Sequence, residues 1–245
     1  MKEYFIALLL SALPAVGSII GGWLAEPIPP SNRNLSLALH LAAGIALAVI
    51  GVELMPQILD ADPPWIVILS FVLGGGFFVL TRQLIHWGQR LSSPKSQGEA
   101  TPLLIYFGVA VDIFSDGLMV GTGTTISFGL GLLLALGQVM ANIPGGLVTL
   151  ATFKSQRVKK RYRQWISASF CIPAFLGTTI GYWTVRGQPD IVKYSLLAFT
   201  AGILITVVVE NMVPEAAEKE KETYLETLMF IGGFALFNLL SVYFG

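Results

Sequence analysis

Asp112 and Asp116 stand one helical turn apart inside an apolar stretch, and from Pro102 to Gly123 the only other ionisable side chain is Tyr106. A charge at the centre of a membrane-spanning helix costs ~2.5–3.5 kcal/mol on insertion scales. At (i, i+4) spacing both carboxylates leave one helix face, close enough to share an ion or a proton. The chemistry this favours is cation binding at mid-membrane; a pair of acids held by hydrogen bonds to neighbouring helices is the plainer alternative. Gln138 and Asn142 repeat the one-turn spacing in the next apolar stretch and offer neutral oxygens at about the same depth. Pro144 frees a carbonyl one turn earlier, and Gly145-Gly146 admit a close neighbour. Glu53 and Glu210 are expected on opposite sides of the midplane, where they could relay a hydrated cation or simply reach interfacial water. His40 and His86 lack a partner at ligand spacing and read as interfacial residues.

The elements that must position these groups are membrane spans. Of 245 residues, 54% are hydrophobic and 12% charged, with mean hydropathy +0.71. That charged fraction is about half that of a soluble domain, which excludes a water-soluble enzyme. A formal net charge of zero gives no sign of a nucleic-acid partner. Apolar runs of about 20 residues predict eight spans, at 4–24, 35–59, 65–86, 102–124, 127–153, 164–184, 191–213 and 224–244. The apolar run near the N-terminus continues past Ile20 and reads as a retained span rather than a cleaved signal. Connections are short, the longest being Trp87 to Thr101, so residues 1–245 form a single transmembrane domain. Cys171 is the lone cysteine and has no internal disulfide partner. With eight spans, twelve Lys and Arg fall in one set of loops, from Arg33 to Lys221, and three (Lys2, Arg186, Lys193) in the other. The positive-inside rule then places both termini outside the cytoplasm, in a plasma (inner) membrane protein.

The spans repeat. Ala43-Gly44-Ile45 leads to Glu53 and Pro56, and Ala201-Gly202-Ile203 leads to Glu210 and Pro214, with twelve positions from glycine to proline in both. Pro14-Ala15 in the first span matches Pro173-Ala174 in the sixth, and Asp116-Gly117-Leu118 matches Gly145-Gly146-Leu147. Five spans separate the matched members, so the copies cross in opposite senses. The expected fold is an all-α membrane protein of eight helices in a 3+2+3 arrangement, spans 1–3 inverted relative to 6–8, as in alternating-access transporters.

This pattern resembles the ZIP family of divalent-metal transporters over nearly the whole chain. The resemblance rests on Glu53-Leu-Met-Pro56 in span two, Glu210-Asn-Met-Val-Pro214-Glu215 in span seven, and the eight-span layout. It implies that Asp112 stands where the family has its span-four histidine, Asp116 where it has a glutamate, and Asn142 at a ligand position of span five. Ile113, Ala141, Gly145 and Ile172 stand where the family often carries ligands and cannot ligate through their side chains. A two-metal centre is therefore not expected, and one site remains, with Asp112, Asp116, Asn142 and Gln138 as oxygen donors and Glu53 and Glu210 as flanking acids. The implied substrate is a divalent cation of the manganese, iron or zinc class, carried rather than held as a cofactor. Oxygen donors suit manganese, magnesium or calcium better than zinc. Without the ion, burial and like-charge repulsion favour a proton on one of the two aspartates. The partners expected are the ion, the lipid bilayer and a second copy in a homodimer; Gly74-Gly75-Gly76 suit a close helix contact either within the chain or between two copies. A ZIP-like protein that no longer transports, acting as a sensor or partner subunit, is the alternative. An enzyme is not expected, because intramembrane aspartyl proteases draw their acids from two facing helices.

Overall fold

A computed structural model describes residues 2–27, 31–92, 102–219 and 224–244. The described residues contain helices and no strand. In chain order they are α1 (Lys2–Ala25), α2 (Asn32–Ala48), α3 (Met55–Leu59), α4 (Pro64–Ser92), α5 (Pro102–Ile126), α6 (Phe128–Ser155), α7 (Lys160–Ser169), α8 (Cys171–Val185), α9 (Asp190–Val207), α10 (Val213–Lys219) and α11 (Tyr224–Phe244). A π-helical segment, Val49–Leu54, joins α2 to α3, and a second, Val208–Met212, joins α9 to α10. The protein is an all-α membrane protein: six helical stretches are long and apolar enough to cross a bilayer. These are Lys2–Ala25, Asn32–Leu59, Pro64–Leu84, Phe128–Ser155, Asp190–Glu218 and Tyr224–Phe244. The predicted fourth span lies on α5, which is not among the six. The predicted sixth is divided between α7 and α8, which meet at Phe170. Pro173, with no N–H to give Ser169, sits just past that break.

Outward faces confirm the solvent. Leu69, Val72, Leu73 and Leu80 on α4, and Leu228, Ile231 and Leu239 on α11, are exposed, a continuous apolar surface that only lipid satisfies. Trp23, Trp65, Trp87, Trp165 and Trp183 are exposed towards the helix ends, where amphipathic rings sit at the headgroup level.

Inside, helices pair by backbone contact rather than by large side chains. A Cβ on Gly21 would fall 1.9 Å from the Ile143 carbonyl oxygen, and one on Gly146 2.0 Å from that of Ser18, so α1 and α6 are reciprocally locked. The same reciprocity joins α5 to α8 through Gly117 and Gly177, α2 to α11 through Gly44 and Gly233, and α4 to α9 through Gly74 and Gly202. Small residues permit this approach where no hydrophobic effect drives helices together. Gly74 therefore serves a contact within the chain, while nothing lies within 4 Å of a Cβ on Gly76.

At one end an ion cluster ties α1, α6 and α7 together. Arg163 donates from Nε and Nη2 to the two Glu26 carboxylate oxygens at 2.8 Å each, and Lys154 donates to the Glu26 carbonyl at 2.8 Å. Hydrogen bonding from Arg163 holds the Glu26 carboxyl below its usual value, against an opposing contribution from burial. A depressed carboxylate contributes stability above its unfolded-state value, and the contribution is lost as pH falls through the folded one. Arg163→Ala should therefore cost roughly 2 kcal/mol near neutral pH. The gap from wild type should narrow, as pH falls below the ordinary carboxylate range, to the part owed to the Arg163 bond to the Val158 carbonyl, as thermal unfolding in detergent at neutral and acidic pH will measure.

Candidate metal centre

Helices α5 and α6 form a tight hairpin. Ser127, the single residue between them, is extended (φ −153°, ψ 153°) and its hydroxyl accepts the Leu130 N–H at 3.0 Å. The two helices then run antiparallel, which brings Asp116 against Asn142: Asn142 Nδ2 donates to Asp116 Oδ2 at 2.6 Å. The same nitrogen lies 3.5 Å from the Pro14 carbonyl of α1. Both described bonds of Asn142 are donated by its amide nitrogen, and neither uses its carbonyl oxygen.

Asp116 is 2% exposed, whereas Asp112, one turn away, lines a cavity of about 520 Å³ together with Asn142. That cavity runs between α5, α6, α2, α4 and α9–α10 and reaches Arg82, Thr152 and Glu218 at the end of the bundle where Glu26 and Arg163 pair. On the other side of Asp116 the neighbouring side chains are apolar and closed: Met119, Val120, Leu134 and Ala135 are at most 1% exposed. The acidic pair thus stands at the inner limit of a cavity open to one end.

Gln138 is buried one turn from Asn142, and its Nε2 has no hydrogen-bond partner. Glu210 lines the same cavity as Asp112, half-exposed and paired with Arg82 at 2.9 Å. Glu53 is not among the residues that line the cavity and accepts a hydrogen bond from Ser241 of α11. Both acids sit in the π-helical segments. Such segments widen the helix by one residue and often mark functional sites.

The positions where the resemblance left no ligand are also placed. Ile113, Ala141 and Gly145 line the cavity beside the pair, while Ile172 is 59% exposed on the outer face of α8. Among the described residues no three of His, Cys, Asp and Glu gather as a metal cluster. His40 Nδ1 donates to the Ser36 carbonyl, 2.9 Å away on its own helix, and the His86 side chain lies outside the described residues. Reading the sequence missed Arg82, taken there for one of the charges that set orientation. The signal was available: Arg82 lies eight residues after Gly74, as Ser241 does after Gly233.

Comparison with known proteins finds similar sequences over most of the chain. The family model described as ZIP Zinc transporter matches residues 86–241. A protein named zinc transporter ZupT from Salmonella arizonae is 29% identical over 227 residues, covering 87% of each chain. Its namesake from Salmonella heidelberg is 28% identical over 225 residues, again 87% of each.

Proposed function

The chain belongs to the ZIP zinc transporter family, and from that premise we propose that it carries a divalent metal cation across the membrane by alternating access. The ion binds between α5 and α6, held by the Asp112 and Asp116 carboxylates and the Asn142 carbonyl oxygen, with Gln138 one turn beyond. Two carboxylates balance a divalent charge, which makes its desolvation at mid-membrane tolerable. The observation that carries this reading is the cavity that ends on Asp112 and Asn142, with Asn142 in turn bonded to buried Asp116. Open at one end and closed by Met119, Val120 and Leu134 at the other, it fits one end state of such a cycle.

The eight-span, 3+2+3 arrangement belongs to the same proposal. It is supported by the glycine pairs, which map onto one another when the repeats are exchanged: α1–α6 becomes α8–α5, and α2–α11 becomes α9–α4. Helices α1, α5, α6 and α8 then form one group and α2, α4, α9 and α11 the other, and one moves relative to the other. Both termini are extracytoplasmic, and the cavity opens to the cytoplasm. A carrier, not an enzyme, is the role this arrangement suits.

The relatives named as zinc transporters bring zinc into the set of candidate ions, and the oxygen-only donors bring manganese. Thermal unfolding of the purified protein with Zn, Mn, Fe, Co, Mg and Ca in turn tests the site. A bound ion at a hundred times its Kd stabilises by about 2.7 kcal/mol, and Mn²⁺ should raise Tm at least as far as Zn²⁺. No rise with any of the six would overturn the reading. The loss of ligand types at Ile113, Ala141 and Gly145 supports a second reading, a sensor or partner subunit that binds without carrying. Ion-dependent stabilisation with no flux into proteoliposomes would select it.

A further inference from the structure

Arg82 approaches Glu210 in an unusual way. Pro214 withholds the N–H that would close the helical bond to the Glu210 carbonyl. Arg82 Nη1 fills that vacancy, donating to the Glu210 carbonyl oxygen at 2.8 Å and to its Oε2 at 2.9 Å. One positive nitrogen therefore stands between two oxygens of the same residue, which is where a chelated cation would sit. Both partners line the cavity that leads from Asp112, with side chains 39% and 51% exposed.

In the other copy of the repeat the π-segment glutamate meets a neutral side chain instead. Gly233 packs on the Leu41 carbonyl as Gly74 packs on that of Phe199, and eight residues beyond each glycine comes the side chain that bonds the π-segment glutamate. At Glu53 that side chain is the neutral Ser241; at Glu210 it is Arg82. An exposed ion pair adds little to folding stability, so its consequence is electrostatic: Glu210 is already neutralised and Glu53 is not.

Resting on the transport reading above, we propose that Arg82 is a tethered cation that keeps a metal ion from lodging at the cavity mouth. An ion leaving the Asp112–Asp116 pair then meets no competing carboxylate at Glu210, and each chain holds one ion rather than two. Glu210 is in this account a site already filled by the protein itself.

Equilibrium dialysis of the full-length protein in detergent against Mn²⁺ counts the ions. Wild type should bind one per chain, Arg82→Gln two, and Arg82→Gln/Glu210→Gln one again, while Arg82→Lys, which keeps the charge, should bind one. In an Asp112→Asn/Asp116→Asn background, Arg82→Gln should raise the count from zero to one. A gain there, reversed by Glu210→Gln, supports the role of Arg82 even if wild type binds nothing, an outcome that would remove only the transport site. No gain from folded Arg82→Gln in either background overturns the inference. So does a fall in the wild-type count caused by Glu210→Gln alone, a measurement that leaves Arg82 in place.

Discussion

Asp116→Asn is expected to reduce cation uptake by proteoliposomes to background while leaving the protein fully inserted and at least as stable without metal as wild type. The substitution keeps the shape of the side chain, and its amide oxygen can still accept from Asn142 Nδ2, now 2.6 Å from the carboxylate. What it removes is a charge from a position 2% exposed. An ionised carboxylate there costs several kcal/mol unless a cation or proton compensates it. The apo protein should therefore gain, or at least not lose, thermal stability. The metal-bound protein should lose a ligand and half the compensating charge, and uptake should fall by at least ~100-fold, beyond what disturbing an outer-shell partner does. Opposite signs for stability and transport separate a binding role from a packing role. A purely structural Asp116 would show the reverse: lower Tm and residual flux in proportion to folded protein. Asp112→Asn should follow the same pattern, with the smaller gain in apo stability that suits a side chain facing the cavity.

The acidic pair was legible in the sequence because a charge in an apolar run has few physical excuses. The amides at Gln138 and Asn142 followed from the same spacing. Periodicity and length found the helices, yet could not find where they break. A proline announces a missing donor, but not that the helix ahead of it widens into the π segments at Val49–Leu54 and Val208–Met212. The interruption at Phe170 is likewise a matter of tertiary fit, with Ser169 Oγ donating to Ile166 O at 2.7 Å and accepting from Tyr106 OH at 3.0 Å. Glu53 and Glu210 were found as acids, whereas their partners were not. Arg82 and Ser241 lie 128 and 188 residues from the acids they bond. Only the pairing of α4 with α9 and of α2 with α11 brings them together. In sequence Arg82 is one of twelve charges that set orientation, and only its register eight residues after Gly74, matched by Ser241 after Gly233, sets it apart.

Gly146→Ala is the second substitution with a large expected effect, and it acts on the fold before the site. The new Cβ would lie 2.0 Å from the Ser18 carbonyl oxygen, so α1 and α6 must separate by more than an ångström. Overpacking typically costs 1–3 kcal/mol where side chains give way, and a backbone carbonyl gives way less; a loss of about 3 kcal/mol and a bulkier Gly146→Leu that fails to accumulate are expected. Asn142 lies one turn before Gly146 on the same helix, so the displacement also draws its amide from Asp116, and uptake should fall further than Tm alone explains. Gly76→Ala is the control: with nothing within 4 Å of its Cβ, Tm should stay level or rise slightly. A level Tm in Gly146→Ala would mean that the helix pairs yield easily, and with them the idea of two rigid groups. At Gly137 the contact between the groups is of another kind. A Cβ on Gly137 of α6 would meet the side chains of Val49 and Phe237, which can rotate aside, and no carbonyl. Carbonyl contacts within each group and yielding side chains at Gly137 between them are what the proposed movement of one group past the other requires.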